Sequence, residues 1–446
     1  MGITQKLAEF LVANGFETMP PDVTHAAKRA VIETVGVILA GSQEPASRTT
    51  ASFVRKTGGN PRATVLGNGL LTSAPNAALA NGISGHALDY DDVFSLVSVA
   101  HPTAVLLPAV LAVAEDSGAS GKAVIEGIVL GLEVLGRLMA TGIDPRPVGF
   151  YVPSIVGTLG AAAGASKVLR LDVHQTQMAL GVAASQATGM ARNRGTMTKP
   201  FHAGNAARSG VVAAMLASEG FTAEPNIIEG ELGLCHAFAG KAQVDESKVV
   251  DGLGNPYCIT SPGLSVKKYP TCWLTHSSID MMIGLAKEHA FSPEEVMSIE
   301  CRTQPRSGTV LVFMEPSDHL QAKFSMPFAL AAALVEGKVG LPQITDAKAN
   351  DARIRNVARK VTVRFDARNA DPDTLTVRLK DGRQFSASTT TARGNADAPL
   401  SDDEISTKFI DCATMILPAD KAGRALELML DLERLSAVSD LTGLLH

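Results

Sequence analysis

From residue 24 to about residue 220, apolar positions recur at the three- and four-residue spacing of helices. In "AAKRAVIETVGVILAG" (26–41), Val31, Val35 and Ile38 share a face and Gly41 marks a stop. "APNAALANGISGHALDYDD" carries Pro75 near a helix start and stays apolar through Leu88. "KAVIEGIVLGLEVLGRLMA" (122–140) is apolar nearly all round, which predicts a central helix. "HQTQMALGVAASQATG" and "GNAARSGVVAAMLASEG" continue the pattern, the second placing a helix N-terminus near Gly204.

The texture changes near residue 255. "NPYCITSPG" reads as a loop and "SSIDMMIGLAKEH" (277–289) as a helix. "VMSIECRT" (296–303) and "KVTVRFDA" (360–367) alternate with period two, and "TLTVRLKDGRQFSAST" (374–389) is a hairpin turning at Asp381-Gly382. "DEISTKFIDCATMIL" and "KAGRALELMLDLERL" return to helical spacing. The pattern predicts a mainly α protein: a large helical domain from residues 1–260 and 396–446, with a smaller α/β domain, 261–395, inserted late.

Composition narrows the function. The chain has 446 residues, 46% hydrophobic and 19% charged, enough for well-buried cores. Aromatics are only 4%, and abundant Ala and Gly let helices approach closely. A net charge of -5 without a basic block argues against nucleic acid. "TAVLLPAVLAVAE" (103–115) falls short of the roughly 18 apolar residues of a membrane span. No signal peptide is visible, and "MGITQK" has Lys6 where a myristoylation site needs Ser or Thr, so the expected location is cytoplasmic. Five scattered cysteines without C-x-x-C predict neither disulfides nor a zinc site.

Several motifs are missing. No G-x-G-x-x-G follows a strand, no complete phosphate loop, H-E-x-x-H or G-x-S-x-G occurs, and "DYDDVF" fails as a calcium loop. An acid/base enzyme using neither metal nor cofactor, or a non-catalytic protein, is left.

Four clusters carry candidate chemistry. Asp89, Asp91, Asp92 and His101 form the first. Acids after a helix are commonly a solvated loop, but these follow the apolar "ISGHAL", where a carboxylate needs a partner or a task. His86 reads as an ordinary helix histidine. The second is "RNRGTMTKPFHAGNAARSG" (192–210), where Arg192, Arg194, Lys199, His202 and Arg208 precede or enter a helix and can hold anions. The third, "SVKKYPTCWLTHSSID" (265–280), offers Lys267 and His276 to a cleft between domains, with Cys272 and Trp273 as packing residues. The fourth is Tyr151 in "DPRPVGFYVPSIVG" (144–157), either structural or an acid/base.

Together, "GHALDYDD…HPTAVLLPA", "GTMTKPFHAGNAARSG", "EGELG" and "VKKYPTCWLTHSSID" resemble the MmgE/PrpD family from about residue 5 to the C-terminus. The resemblance implies a helical domain built from both chain ends, an inserted α/β domain, a homodimer and no redox cofactor. It implies action on small di-, tri- or tetracarboxylates, as in 2-methylcitrate dehydratase, cis-aconitate decarboxylase and iminodisuccinate epimerase. It places the family's acidic-loop aspartate on Asp89 or Asp92, its loop histidine on His101, its block lysines on Lys199 and Lys267, and a histidine on His202.

Three positions depart from the dehydratase and decarboxylase pattern: Val93 stands for Thr, Tyr151 for the histidine of a G-F-H block, and Phe328 for an aromatic hydroxyl. The spacer before His101 is about two residues longer. All three family reactions create or quench negative charge on a carbon beside a carboxylate. An epimerase needs only two groups on opposite faces of one carbon, so the departures point to epimerisation of iminodisuccinate, with Tyr151 opposite His101 or Lys199. Asp89, Asp92, Arg194, His202, Lys267 and His276 would form the substrate-binding set. A lyase of the dehydratase or decarboxylase kind is the alternative, and a decayed, non-catalytic site the second.

Overall fold

The computed structural model describes residues 2–95, 99–238, 244–366, 368 and 371–446. The longer spacer before His101 runs through 96–98 and lies outside the described residues. The chain divides into two compact units, Met1–Ser265 with Ser401–His446, and Val266–Leu400.

The first unit is helical. Its order is α1 (Ile3–Ala13), α2 (Pro21–Gly41), α3 (Pro45–Thr57), a small hairpin β1 (Ala63–Val65) and β2 (Leu70–Thr72), then α4 (Ala74–Ala87). The short pair β3 (Phe94–Ser95) and β4 (Val99–Ala100) leads into α5 (Thr103–Ser117), α6 (Gly121–Ala140), α7 (Val152–Val168), α8 (Val173–Gln186), α9 (Thr198–Ser218) and the short α10 (Leu234–Phe238).

As its all-round apolar pattern predicts, α6 is buried along nearly its whole length. Each fully buried Leu, Ile or Val contributes about 1.5–3 kcal/mol. Small residues bring α6 against α7: a Cβ on Gly131 would meet the Gly160 carbonyl, and one on Gly160 the Gly131 carbonyl. The predicted helix start near Gly204 is corrected. Helix α9 begins at Thr198 because Pro200 is tolerated in the first helical turn. Gly204 is instead a point of close approach, where a side chain would collide with the Leu79 carbonyl of α4.

The second unit is a small α/β body. Here α11 (His276–His289) precedes β5 (Val296–Arg302), followed by α12 (His319–Ala322), α13 (Met326–Glu336), α14 (Asp346–Ala349) and α15 (Ala352–Ala358). Strands β6 (Val361–Arg364), β7 (Asp373–Leu379) and β8 (Gln384–Thr389) complete a sheet of order β6-β5-β7-β8. β5 and β6 are parallel, with Ile299 opposite Val361, a pairing that needs the long helical crossover between them. β7 and β8 form the hairpin predicted at Asp381-Gly382, where Gly382 takes φ +91°. Phe328 belongs to this unit's apolar core and is 2% exposed.

The C-terminal segment, α16 (Asp402–Ala413), α17 (Ala419–Leu430) and α18 (Ser439–Thr442), belongs to the first unit. The protein is thus mainly α with a small α/β part. Among the described residues no helix is long and apolar enough to cross a membrane.

Candidate active site

The acidic stretch is not solvated. It leaves the end of α4, and Asp89, Asp91 and Asp92 are 4%, 0% and 1% exposed. Two contacts hold its far end: Val93 and Ser265 exchange backbone hydrogen bonds of 2.7 and 2.8 Å. Asp89 adopts φ +53°, the left-handed region that costs a non-glycine residue about 1 kcal/mol or more and that aspartate tolerates best.

Each acid has its own partner. Asp89 Oδ1 accepts from Lys199 Nζ at 2.7 Å, pairing the loop with the first turn of α9. Asp91 Oδ2 faces two imidazoles, with His86 Nδ1 at 2.8 Å and His101 Nδ1 at 3.2 Å. Asp92 Oδ1 accepts the Thr103 N–H at the start of α5 at 3.2 Å. The Asp92 backbone carbonyl is 3.0 Å from His101 Nδ1.

These contacts fix tautomers. An ionised carboxylate only accepts, so His86 and His101 each carry the Nδ1 proton. His86 Nε2 is then an acceptor, and the Tyr151 hydroxyl lies 3.0 Å from it. Burial pushes the His86 pKa down to about 3, against the pull of Asp91, so the ring is neutral at neutral pH. Asp91 is also fully buried, which opposes its charge, yet the two imidazoles hold its pKa well below the carboxylate range. Burial and the nearby Glu33 carboxylate raise Asp92 well above that range. The result is a buried chain, Asp91–His86–Tyr151, that orients the phenol and can accept its proton.

Tyr151 is placed by its backbone. It precedes α7, its N–H donates to the Gly189 carbonyl at 2.8 Å, and Ala191 N–H donates to the Gly149 carbonyl at 2.9 Å. This pairing draws the 189–194 segment beside the phenol. Arg194 Cζ sits 5.9 Å from the Tyr151 ring centroid, a cation–π distance, and the His202 ring is 5.3 Å away. His202 Nδ1 is buried and has no hydrogen-bond partner among the described residues. Burial, and then Lys199, lower the His202 pKa.

The structure therefore brings Asp89, His101, Tyr151, Arg194, Lys199 and His202 together, with the Asp92 carbonyl on His101. Lys267 and His276 belong to the second unit, where they are 1% and 0% exposed. His276 Nε2 is 3.3 Å from the Thr271 carbonyl, and Cys272 lies in the apolar core as expected. That unit also contains a cavity of about 680 Å³ bordered by Trp273, Ser277, Arg306 and Asp373, with none of the candidate residues in its lining.

Sequence reasoning set His86 aside and counted Asp91 in the acidic cluster without placing it in the catalytic or substrate-binding set. The available signal was a histidine inside an apolar helix five residues before an aspartate, which lets the two meet across the helix end. His86, Asp91 and His101 bring one ligand atom each within 4.8 Å of one another, a spacing a divalent metal could span. In the structure these atoms instead engage one another through hydrogen bonds.

Two family profiles match the chain. The profile of the MmgE/PrpD N-terminal domain matches residues 5–247 and that of the C-terminal domain residues 269–434. The chain belongs to the MmgE/PrpD family. It is 28% identical to cis-aconitate decarboxylase of Homo sapiens over 440 residues, 95% of this chain and 90% of the relative. It is also 28% identical to the enzyme of that name from Mus musculus over 462 residues, covering 99% and 93% of the two chains. Cis-aconitate decarboxylase of Aspergillus terreus is 24% identical over 474 residues, covering 100% and 96%.

Proposed function

We propose that this protein is a lyase of small polycarboxylates that removes a carboxylate by acid/base chemistry of its own side chains, with cis-aconitate the first substrate to offer. The observation that carries the reading is the buried chain Asp91–His86–Tyr151 ending among Lys199, Arg194 and His202. Near-complete alignment with relatives named cis-aconitate decarboxylase supports decarboxylation over the other family reactions.

In that step the bond between carbon and the departing carboxylate breaks. CO2 leaves, and the electron pair stays on the substrate, delocalised into a remaining carboxylate. Cations around Tyr151 would lower the energy of that state in a site of low dielectric. The phenol or His101 would supply the proton that closes the carbon, with His86 and Asp91 holding the phenol in place, and solvent would replace that proton when the product leaves. A tricarboxylate of six carbons thus yields CO2 and a dicarboxylate of five.

Epimerisation of iminodisuccinate is the second reading. It is favoured by Tyr151 standing in place of the histidine that the family resemblance places there, with His101 or Lys199 as the opposing group. Here a proton would leave one face of the carbon and return on the other.

The test is proton NMR of purified protein with cis-aconitate, 2-methylcitrate and iminodisuccinate offered separately. Formation of the five-carbon dicarboxylate from cis-aconitate supports the first reading. Interconversion of iminodisuccinate stereoisomers alone would replace it with the second, and water loss from methylcitrate alone would make the protein a dehydratase.

A further inference from the structure

Behind the acidic loop lies a second buried charge group that neither the motifs nor the family blocks mark. Glu33, in the middle of α2, is fully buried, and Lys408 of α16 is 6% exposed. Lys408 Nζ meets Glu33 Oε1 at 2.5 Å. The same ammonium donates to the Tyr90 carbonyl at 2.8 Å and lies 3.7 Å from the Tyr90 ring centroid. Glu33 Oε2 accepts from Thr34 Oγ1 at 3.2 Å, and Thr34 Oγ1 is 2.6 Å from Thr103 Oγ1. Thr103 is the residue whose N–H holds Asp92.

Tyr90 lies between the two acids that matter most. Asp89 on one side pairs with Lys199, and Asp91 on the other holds both imidazoles. Asp89 also takes a left-handed backbone conformation, which persists only where surrounding contacts fix it. The Tyr90 carbonyl is the next acceptor along the chain after that strained residue, and a buried ammonium grips it.

The geometry points to Lys408 as a positioning residue: an ammonium from the C-terminal segment, balanced by Glu33, that fixes the Tyr90 carbonyl and thereby sets Asp89 and Asp91 at the distances Lys199, His86 and His101 require. The inference rests on the proton chain described under Proposed function, and it assigns the C-terminal helix a part in the chemistry without touching substrate.

Two variants separate positioning from mere stability. Lys408→Met leaves Glu33 buried without its cation, so it is compared with the double variant Glu33→Gln/Lys408→Met, in which no buried charge is stranded. Each is read by thermal midpoint, by kcat and KM on cis-aconitate, and by the histidine ring signals of 15N-labelled full-length protein. The double variant should recover the midpoint to within a few degrees. Its kcat should remain at least about tenfold low with KM within about threefold, as a small misplacement of reacting groups does. The His86 and His101 ring signals should move.

A double variant with wild-type kcat and unmoved ring signals would overturn the assignment. So would one unable to fold, because neutral replacements of similar volume are normally tolerated. If the wild type turns over none of the three acids, the proposed reaction falls and the ring signals alone decide. Shifts in the folded double variant would still support positioning, and unchanged signals would refute it.

Discussion

The Tyr151 hydroxyl and the Asp91 carboxylate meet the two nitrogens of His86, at 3.0 and 2.8 Å. A neutral imidazole between an ionised carboxylate and a phenol is an arrangement in which a proton moves without leaving a buried charge unpaired. Replacing Tyr151 by Phe keeps the ring and removes the end of the chain. The expected result is a kcat fall of about 100- to 1000-fold with KM within about threefold, measured by steady-state kinetics on the substrate found by NMR. An equal loss in binding would remove the proton-transfer role.

Asp91→Asn reaches further, because Asp91 faces both imidazoles. An amide can donate as well as accept, so neither histidine keeps its imposed tautomer. The kcat loss should equal or exceed that of Tyr151→Phe, on the order of 10³-fold or more. Smaller loss than for Tyr151→Phe would show that the tautomers are set elsewhere.

Lys199→Met removes the ammonium paired with Asp89 in a buried position. Breaking such a pair by removing one partner costs about 3–5 kcal/mol. Adding Asp89→Asn should return most of that stability while activity stays lost. Urea unfolding of the three proteins checks this, and recovery of activity in the double variant would make the pair purely structural.

Stability should also depend on pH through His86. Its pKa is about 3 in the folded protein against 6.5 ordinarily. The unfolded chain therefore binds a proton that the folded one refuses, and the contribution present above pH 6.5 is lost as pH falls toward 3. Between pH 6.5 and pH 5 the loss is about 2 kcal/mol for one proton. His202 acts in the same direction, while Asp92 and Glu33, whose pKa values are raised, act in the opposite one. Urea unfolding of wild type and His86→Gln across this range isolates the histidine: the variant should start less stable but show a slope shallower by about one proton.

Gly204 tests the packing that aims α9. A valine there would meet the Leu79 carbonyl of α4, and backbone cannot move aside as a side-chain tip can. The expected cost is about 1–3 kcal/mol or more, seen as a lower urea midpoint with an unchanged slope. Full stability would mean that the two helices separate easily.

Periodicity made the fold legible: the apolar circumference of α6, the hairpin at Gly382 and the alternation of β5 all read directly. It misplaced the start of α9 because Gly204 serves a close contact with a distant helix, which local sequence cannot show. The site was half legible. Lys199, His202, His101 and Tyr151 announced themselves by residue type and neighbours. His86 did not, since a histidine within an apolar helix has the same sequence signature whether it is packed or orients a reacting group. Glu33 and Lys408 are 375 residues apart, and only the fold brings them together.

The most direct test of the central claim follows cis-aconitate in D2O by proton NMR, with wild type and Tyr151→Phe side by side and neither metal nor nucleotide added. The account predicts that wild type forms a five-carbon dicarboxylate carrying one solvent deuterium at the carbon that was closed, and that Tyr151→Phe forms almost none. Undiminished turnover by Tyr151→Phe, or a product without deuterium, would contradict it.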